Sequence, residues 1–215
     1  HDLMLGVVVE RLDVNDYSET ITLSSYKPTF ILQSVLDKNG DHSPGATNYA
    51  LFIQDDVSLI DDTLSVTAGL RYDKYQQFAA EWSPRVGVVY APDEEWVVKA
   101  LWGQAFRPPS NLQQYEVRSD GNVPGNPDLI PENIKTLELD VGYRLSESQH
   151  LTMRYFDNTL SDFIQSLNAQ PYENIDVSQS AGGFEVEYIS HHDIKSETIE
   201  HLKIMAQFTK LNNDI

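Results

Sequence analysis

No cysteine occurs in the chain. That excludes disulfides, zinc–thiolate centres and thiol catalysis, and it leaves the redox compartment open. Basic residues are scarce: 15 Lys and Arg stand against 33 Asp and Glu, a formal charge of −18. Nucleic-acid binding needs a basic footprint, and a polybasic membrane patch needs clustered lysine and arginine. The composition argues against both. No run approaches the 18 or so apolar residues of a transmembrane helix, which leaves barrel strands open because they are short and only half apolar. The opening stretch HDLMLGVVVERLDVND has no basic n-region and no uninterrupted apolar core, so it does not read as a secretory leader. Both ends read as strand, LMLGVVVERL and HLKIMAQFTKLNNDI, as expected of an internal segment of something longer. A convincing 3.6-residue period is missing throughout. Nucleophile elbows, metalloprotease helices and phosphate loops are missing too, so the sequence does not read as an enzyme.

What remains is alternation. In LSVTAGLRYD, Leu64, Val66, Ala68, Leu70 and Tyr72 fall on one face, with Ser65, Thr67, Gly69, Arg71 and Asp73 on the other. TLELDVGYRL sets Leu137, Leu139, Val141, Tyr143 and Leu145 against Thr136, Glu138, Asp140, Gly142 and Arg144. GFEVEYIS and HLKIMAQF repeat the pattern. The alternation predicts about nine strands, near 2–16, 47–60, 63–78, 82–91, 95–106, 133–146, 149–166, 176–191 and 199–212. They are longer than the usual five or so residues of a soluble sandwich. Tight polar turns at Asp61, Pro92 and Ser146 alternate with longer loops near 17–46, 107–131 and 167–175. Short turns at one end and long loops at the other are the hairpin asymmetry of an outer-membrane barrel. Tyr90 and Trp96 flank one short turn, and Trp82 and Phe106 lie at the far ends of the same strands. Ten residues at about 3.3 Å, tilted about 40°, span roughly 25 Å, the height of an apolar band with aromatic edges. The charged alternate face, with Lys99, Glu138, Asp140, Arg144 and Glu185, would then line a wet lumen.

The stretches YALFIQDDVSLIDDTLSVTAGLRYDKY, SPRVGVVYAPDEEWVVKALWGQAFRPPS, GNPDLIPENIKTLELDVGYR and RYFDNTLSDFIQ, in this order, resemble the barrel of TonB-dependent outer-membrane receptors. The resemblance runs from Tyr49 to Gln165 and more weakly through GGFEVEY. It implies an all-β, antiparallel, up-and-down transmembrane barrel with short periplasmic turns and long extracellular loops. Residues 1–215 would be an internal part of that barrel, without the plug or the closing strand. It also implies uptake of a scarce nutrient, a ferric siderophore first, across the bacterial outer membrane. Partners would be outer-membrane lipid, an extracellular ligand such as a metal chelate, and the TonB complex through the plug. No cofactor and no nucleic acid are implied. A passive porin-like barrel and a soluble all-β extracellular binding module are the alternatives.

Two proline boxes stand out, AFRPPSNLQQYE from Ala105 and GNPDLIPE from Gly125. Pro108 and Pro109 cannot extend a central strand because proline offers no N–H. Asn126-Pro127 and Ile130-Pro131 force turn and extended backbone before the chain returns at Glu132. If Phe106 faces lipid, Arg107 faces the lumen, as does Glu132 by parity on the returning strand. The two are therefore expected to pair at the loop base. Between the boxes, Gln113, Gln114, Tyr115, Arg118 and Asn122, with Arg107 at the base, are the candidate ligand contacts. Haem receptors of the family often carry a histidine between such boxes, and none lies between Arg107 and Pro131. DKNGDHSPG resembles the opening of a calcium loop at Asp37, Asn39 and Asp41, but its sixth and twelfth positions are His42 and Asn48. It reads as an ordinary polar loop. His191-His192-Asp193 reads as a solvated periplasmic turn rather than a metal site.

Overall fold

Period-two patterning becomes a single antiparallel sheet in the computed structural model, which describes residues 1–12, 19–21, 30–35, 46–118, 125–167, 170–194 and 201–214. The elements are β1 (Asp2–Leu12), β2 (Glu19–Ile21), β3 (Phe30–Val35), β4 (Ala46–Ile60), β5 (Leu64–Lys74), β6 (Glu81–Tyr90), β7 (Trp96–Arg107), α1 (Asn111–Tyr115), β8 (Glu116–Arg118), β9 (Glu132–Ser146), β10 (Gln149–Ser161), β11 (Phe163–Gln165), β12 (Glu173–Ile175), β13 (Gln179–Asp193) and β14 (His201–Asp214). Nine of them form one sheet in the order β1-β4-β5-β6-β7-β9-β10-β13-β14. Each strand pairs with its sequence neighbour in that sheet, so the connection is up-and-down. The short β2, β3 and β8 make a separate three-stranded sheet, and β11 pairs with β12.

The register carries the alternation across the whole sheet. Trp102 lies opposite Val86 on one side and Leu137 on the other. Leu139 lies opposite Ala100 and Tyr155, and Tyr155 opposite Phe184. This face keeps its large side chains exposed: Leu51 is 53% exposed, Trp82 52%, Leu139 43% and Phe208 60%. A soluble protein would cover so wide an apolar surface. Aromatic pairs mark the face near its two ends. Tyr72 and Trp82 meet at 4.6 Å towards the loops, and Trp96 and Tyr143 at 4.4 Å beside the short turns. The opposite face is polar and paired: Arg71 holds Asp73 at 2.7 Å, Arg154 holds Asp140 at 2.7 Å, and Lys99 lies opposite Asp140.

The short turns are closed locally. Asp62 takes a positive φ of 57°, and the Thr63 N–H donates to the Ile60 carbonyl at 3.0 Å. The Asp93 carboxylate accepts from the Glu95 and Trp96 amides at 2.9 Å each, which ends one turn and starts β7.

Three departures from the alternation have physical causes. The strand expected over 149–166 ends at Ser161, because Asp162 sits at a φ of 57° and turns the chain out of the sheet into β11. The strand expected over 63–78 ends at Lys74, and Tyr75 and Phe78 stack beyond it at 4.5 Å. The ladder between β6 and β7 runs only from Tyr90–Val98 to Arg85–Gly103. It stops beside Pro84, which has no N–H to give. The outer end of β7 is thus left to β9 alone, and the Phe106 ring meets Tyr75 edge-on at 5.9 Å.

Candidate functional site

At the loop end, β7 delivers Arg107 opposite Glu132 in the β7–β9 register. The Arg107 Nε donates to Glu132 Oε2 at 2.5 Å. The second Glu132 oxygen accepts the Ile164 backbone N–H at 2.8 Å. Glu132 is buried, while the Arg107 side chain is 58% exposed. One carboxylate therefore ties together both strands of this hairpin and the start of β11.

The chain between the two boxes builds itself from short-range chemistry. Pro109 is buried, and Ser110 caps the single-turn α1. The Ser110 hydroxyl accepts from the Gln113 amide at 3.2 Å, and the Gln113 side-chain oxygen accepts from the Ser110 amide at 2.9 Å. This is a capping box. The return is as local: the Gly125 N–H donates to the Glu116 carbonyl at 3.1 Å and the Asn126 N–H to the Gln113 carbonyl at 2.9 Å. A Cβ on Gly125 would lie 2.4 Å from the Glu116 nitrogen, so only glycine fits this crossing. The Asn126 side-chain oxygen then accepts from the Asp128 amide at 3.0 Å, and Leu129 is 2% exposed beneath the turn.

A neighbouring loop is locked onto this box. Asn174, on β12, imitates a strand partner: its Oδ1 accepts from the Ile130 N–H at 2.9 Å, and its Nδ2 donates to the Ile130 carbonyl at 2.9 Å. The same Nδ2 donates to the Asp162 carbonyl at 2.7 Å. The Asn126 side-chain Nδ2 donates to the Tyr172 carbonyl at 2.8 Å. On the other side β8 pairs with β3, Glu116 opposite Val35 and Arg118 opposite Leu32. Three loops, those following β1, β7 and β10, therefore meet at one end of the sheet. Nearby, burial and behind it the Asp73 and Glu10 carboxylates push the Tyr75 phenol above its usual range, so Tyr75 offers a neutral hydroxyl at this rim.

The residues singled out from the sequence separate here. Arg107 and Glu132 come together. Gln113 is half-buried and gives its oxygen to the cap. Gln114 and Tyr115 are buried, 2% and 8% exposed, and the Gln114 Nε2 is enclosed with no hydrogen-bond partner. Arg118 has its backbone in β8, its side chain lying outside the described residues, as does Asn122. The calcium-like positions Asp37, Asn39 and Asp41 also lie outside the described residues. His191, His192 and Asp193 lie in β13 and are exposed, with the His201 ring nitrogen 2.8 Å from Asp193. Among the described residues, no His, Asp and Glu group is placed to hold a metal ion. Asn126 was singled out only as a turn former, and Gly125 and Asn174 were not singled out, although all three hold the box.

A family model described as "TonB dependent receptor-like, beta-barrel" matches residues 1–210. The chain belongs to this family. TonB-dependent receptors lie in the outer membrane of Gram-negative bacteria, and the apolar face of this sheet is accordingly its lipid side. An "Iron-regulated outer membrane virulence protein" of Vibrio cholerae is 34% identical over 122 residues, covering 55% of this chain and 19% of that protein. A "Hemin receptor" of Yersinia pestis is 25% identical over 158 residues, covering 60% of this chain and 23% of that protein. The chain thus spans about a fifth of the length of these relatives. The crystal structure of the siderophore receptor PirA from Pseudomonas aeruginosa superposes with a TM-score of 0.62 at 23% identity, over 86% of this chain and 36% of that one. That likeness establishes the shared fold.

Proposed function

We propose that residues 1–215 are an internal part of the barrel of an active outer-membrane transporter, completed by further strands and a plug. Its cargo is a scarce nutrient, a ferric siderophore first, and its energy comes from the TonB complex acting on the plug. The reading is one of binding and transport, not catalysis. The observation that carries it is the family match over 1–210, joined to a loop box held rigid at one end of the sheet. Relatives are named for siderophores, hemin and vitamin B12. The stretch from Pro108 to Pro131 holds no histidine, which favours an iron chelate over haem.

Within the box, Gln113, Arg118 and Asn122 are the proposed ligand contacts, with Arg107 at the base. Gln114 and Tyr115 are buried, so their contribution would come through the unpartnered Gln114 amide or after the box opens. The test uses the full-length receptor in cells starved of iron. Growth rescue by ferric chelates should require both the receptor and TonB. It should be lost when residues 112–125 are replaced by a short glycine–serine link, with the barrel still resistant to unfolding in cold detergent. Uptake that persists without TonB would instead mark a passive pore.

A further inference from the structure

The wall of the sheet opens between β6 and β7. The two strands pair up to Arg85–Gly103, and beyond that point they run on without each other. Neither lip is loose. Above the opening β6 stays paired with β5 as far as Asp73–Glu81, and β7 with β9 as far as Arg107–Glu132. Pro84 stands at the foot of the gap and has no N–H to carry the ladder on. Trp82, two residues nearer the loops, is exposed on the lipid face beside Tyr72, so the gap lies at the loop-side edge of the apolar band.

A hollow of about 610 Å³ occupies the gap. It is lined from both lips, by Ser83 and Arg85 on β6 and by Ala105 and Phe106 on β7, with Arg71 and Tyr75 on the β5 side. By register Ser83, Arg85 and Ala105 belong to the polar face and Phe106 to the lipid face. The Tyr75 ring, carried past the end of β5, meets Phe106 edge-on at 5.9 Å and stacks on Phe78 at 4.5 Å. Aromatic carbon therefore reaches across the unpaired end of β6. Backbone left unpaired at membrane depth is tolerated where it is covered or lines a wet cavity.

Arg85 marks the inner end of the hollow. Arg71, Arg107, Arg144 and Arg154 each meet a carboxylate. Arg85 instead donates to the neutral Gln54 side-chain oxygen, and Gln54 Nε2 donates on to Asp56 at 2.9 Å. Asp56 also accepts from the Thr67 hydroxyl. The guanidinium lies over Gly69, where a Cβ would come within 3.0 Å of Arg85 Nε, and the side chain stays exposed. Asp73 is held by Arg71, and Glu81 stands four residues, about 13 Å, nearer the loops.

The geometry points to this opening as a binding site for a single-chain amphiphile with a carboxylate head, of the long-chain fatty-acid type. The head seats on Arg85 inside the wall. The chain leaves between Pro84 and Gln104 towards the outer leaflet, with the Tyr75 and Phe106 rings over it. The polarity of the hollow carries the assignment: a cation without a carboxylate partner at its inner end, aromatic carbon at its outer end. An arginine fork matches the two oxygens of a carboxylate. A single chain suits an opening whose lips are both still paired outward. The inference rests on the outer-membrane location and not on which nutrient is carried.

The full-length receptor in neutral detergent is photolabelled with a palmitate bearing a mid-chain diazirine, and the labelled peptides are mapped by mass spectrometry. Label should concentrate on residues 75–84 and 104–108. Unlabelled palmitate should remove it about tenfold more effectively than hexadecanol, the value of a charge-assisted hydrogen bond. Arg85→Gln should erase that difference, and Arg85→Lys should keep part of it. Ala105→Trp, which fills the hollow and keeps the cation, should clear label from both segments, and it serves if Arg85→Gln does not fold. Label spread evenly over the lipid face overturns the proposal. So does equal competition by acid and alcohol, an acid preference that survives Arg85→Gln, or label that survives Ala105→Trp. Iron-chelate binding is measured in the same samples, and its failure with the label intact counts against the uptake reading alone.

Discussion

Glu132 shows how much one side chain can hold. Its oxygens serve Arg107 and the Ile164 amide, and it is buried while its arginine partner is half in water. Exposure discounts the ion pair itself to about 1 kcal/mol or less. The larger cost comes from leaving a buried group without a partner, about 1–3 kcal/mol. Arg107→Ala strands a buried carboxylate and should loosen the loop base by that amount. Adding Glu132→Gln should recover part of the loss, because a neutral amide keeps an oxygen for Ile164 and carries no charge to strand. Hydrogen exchange at the Ile164 amide of the full receptor reads both effects. An additive pair of losses would show that charge burial is not what makes Arg107 matter. At Gly125 the constraint is steric. A methyl group 2.4 Å from the Glu116 nitrogen must displace backbone, so Gly125→Ala should cost about 1–3 kcal/mol and open the box to protease. The barrel's resistance to unfolding in cold detergent should not change.

Among the elements, the loops act as one body because Asn174 stands in for a strand. Three hydrogen bonds join it to Ile130 and Asp162, two of them at exposed sites. Asn174→Ala should therefore cost roughly 1–2 kcal/mol and release the 162–175 loop from the box, seen as faster cleavage of both loops at once. Cleavage of the 162–175 loop alone would mean that the box stands by itself. Strands, turns and the Arg107–Glu132 pairing were legible in the sequence because a period of two is a local signal that survives in any sheet. The register then follows from tight turns such as that at Asp62. Asn174 was not legible, since its partners lie 44 and 12 residues away and nothing local marks a side chain that will mimic backbone. The one-turn α1 was too short to show a period, yet Ser110 with Gln113 three residues on is a capping signature that could have been read. The burial of Gln114 and Tyr115 was hidden for a similar reason, because polar text between two proline boxes reads as exposed loop unless its packing partners are known.

For the whole molecule, the sheet inverts the usual distribution of polarity, and substitutions should respect that inversion. Val141 lies on the lipid face between Val98 and Met153, midway along the apolar run from Leu137 to Leu145. Thr152, on the neighbouring strand, lies on the polar face between Gly142 and Glu187. A lysine near the bilayer midplane costs about 2–4 kcal/mol in a transmembrane barrel, and one in the lumen costs little. Val141→Lys should accordingly lower the yield of folded full-length receptor in lipid vesicles, while Thr152→Lys should leave it near normal, helped by Glu187. A soluble sandwich with the apolar face in its core would also reject lysine at Val141. That fold, however, would come out in aqueous buffer, whereas this sheet needs detergent. β1 and β14 each pair on one side only within the nine-stranded sheet. Residues 1–215 expressed alone should then aggregate, with open strand edges beside an uncovered apolar face. They should show no heat-sensitive shift in gel mobility, a shift the full receptor should display. A monodisperse, detergent-free preparation of this segment would mean that its apolar face is covered by something other than lipid.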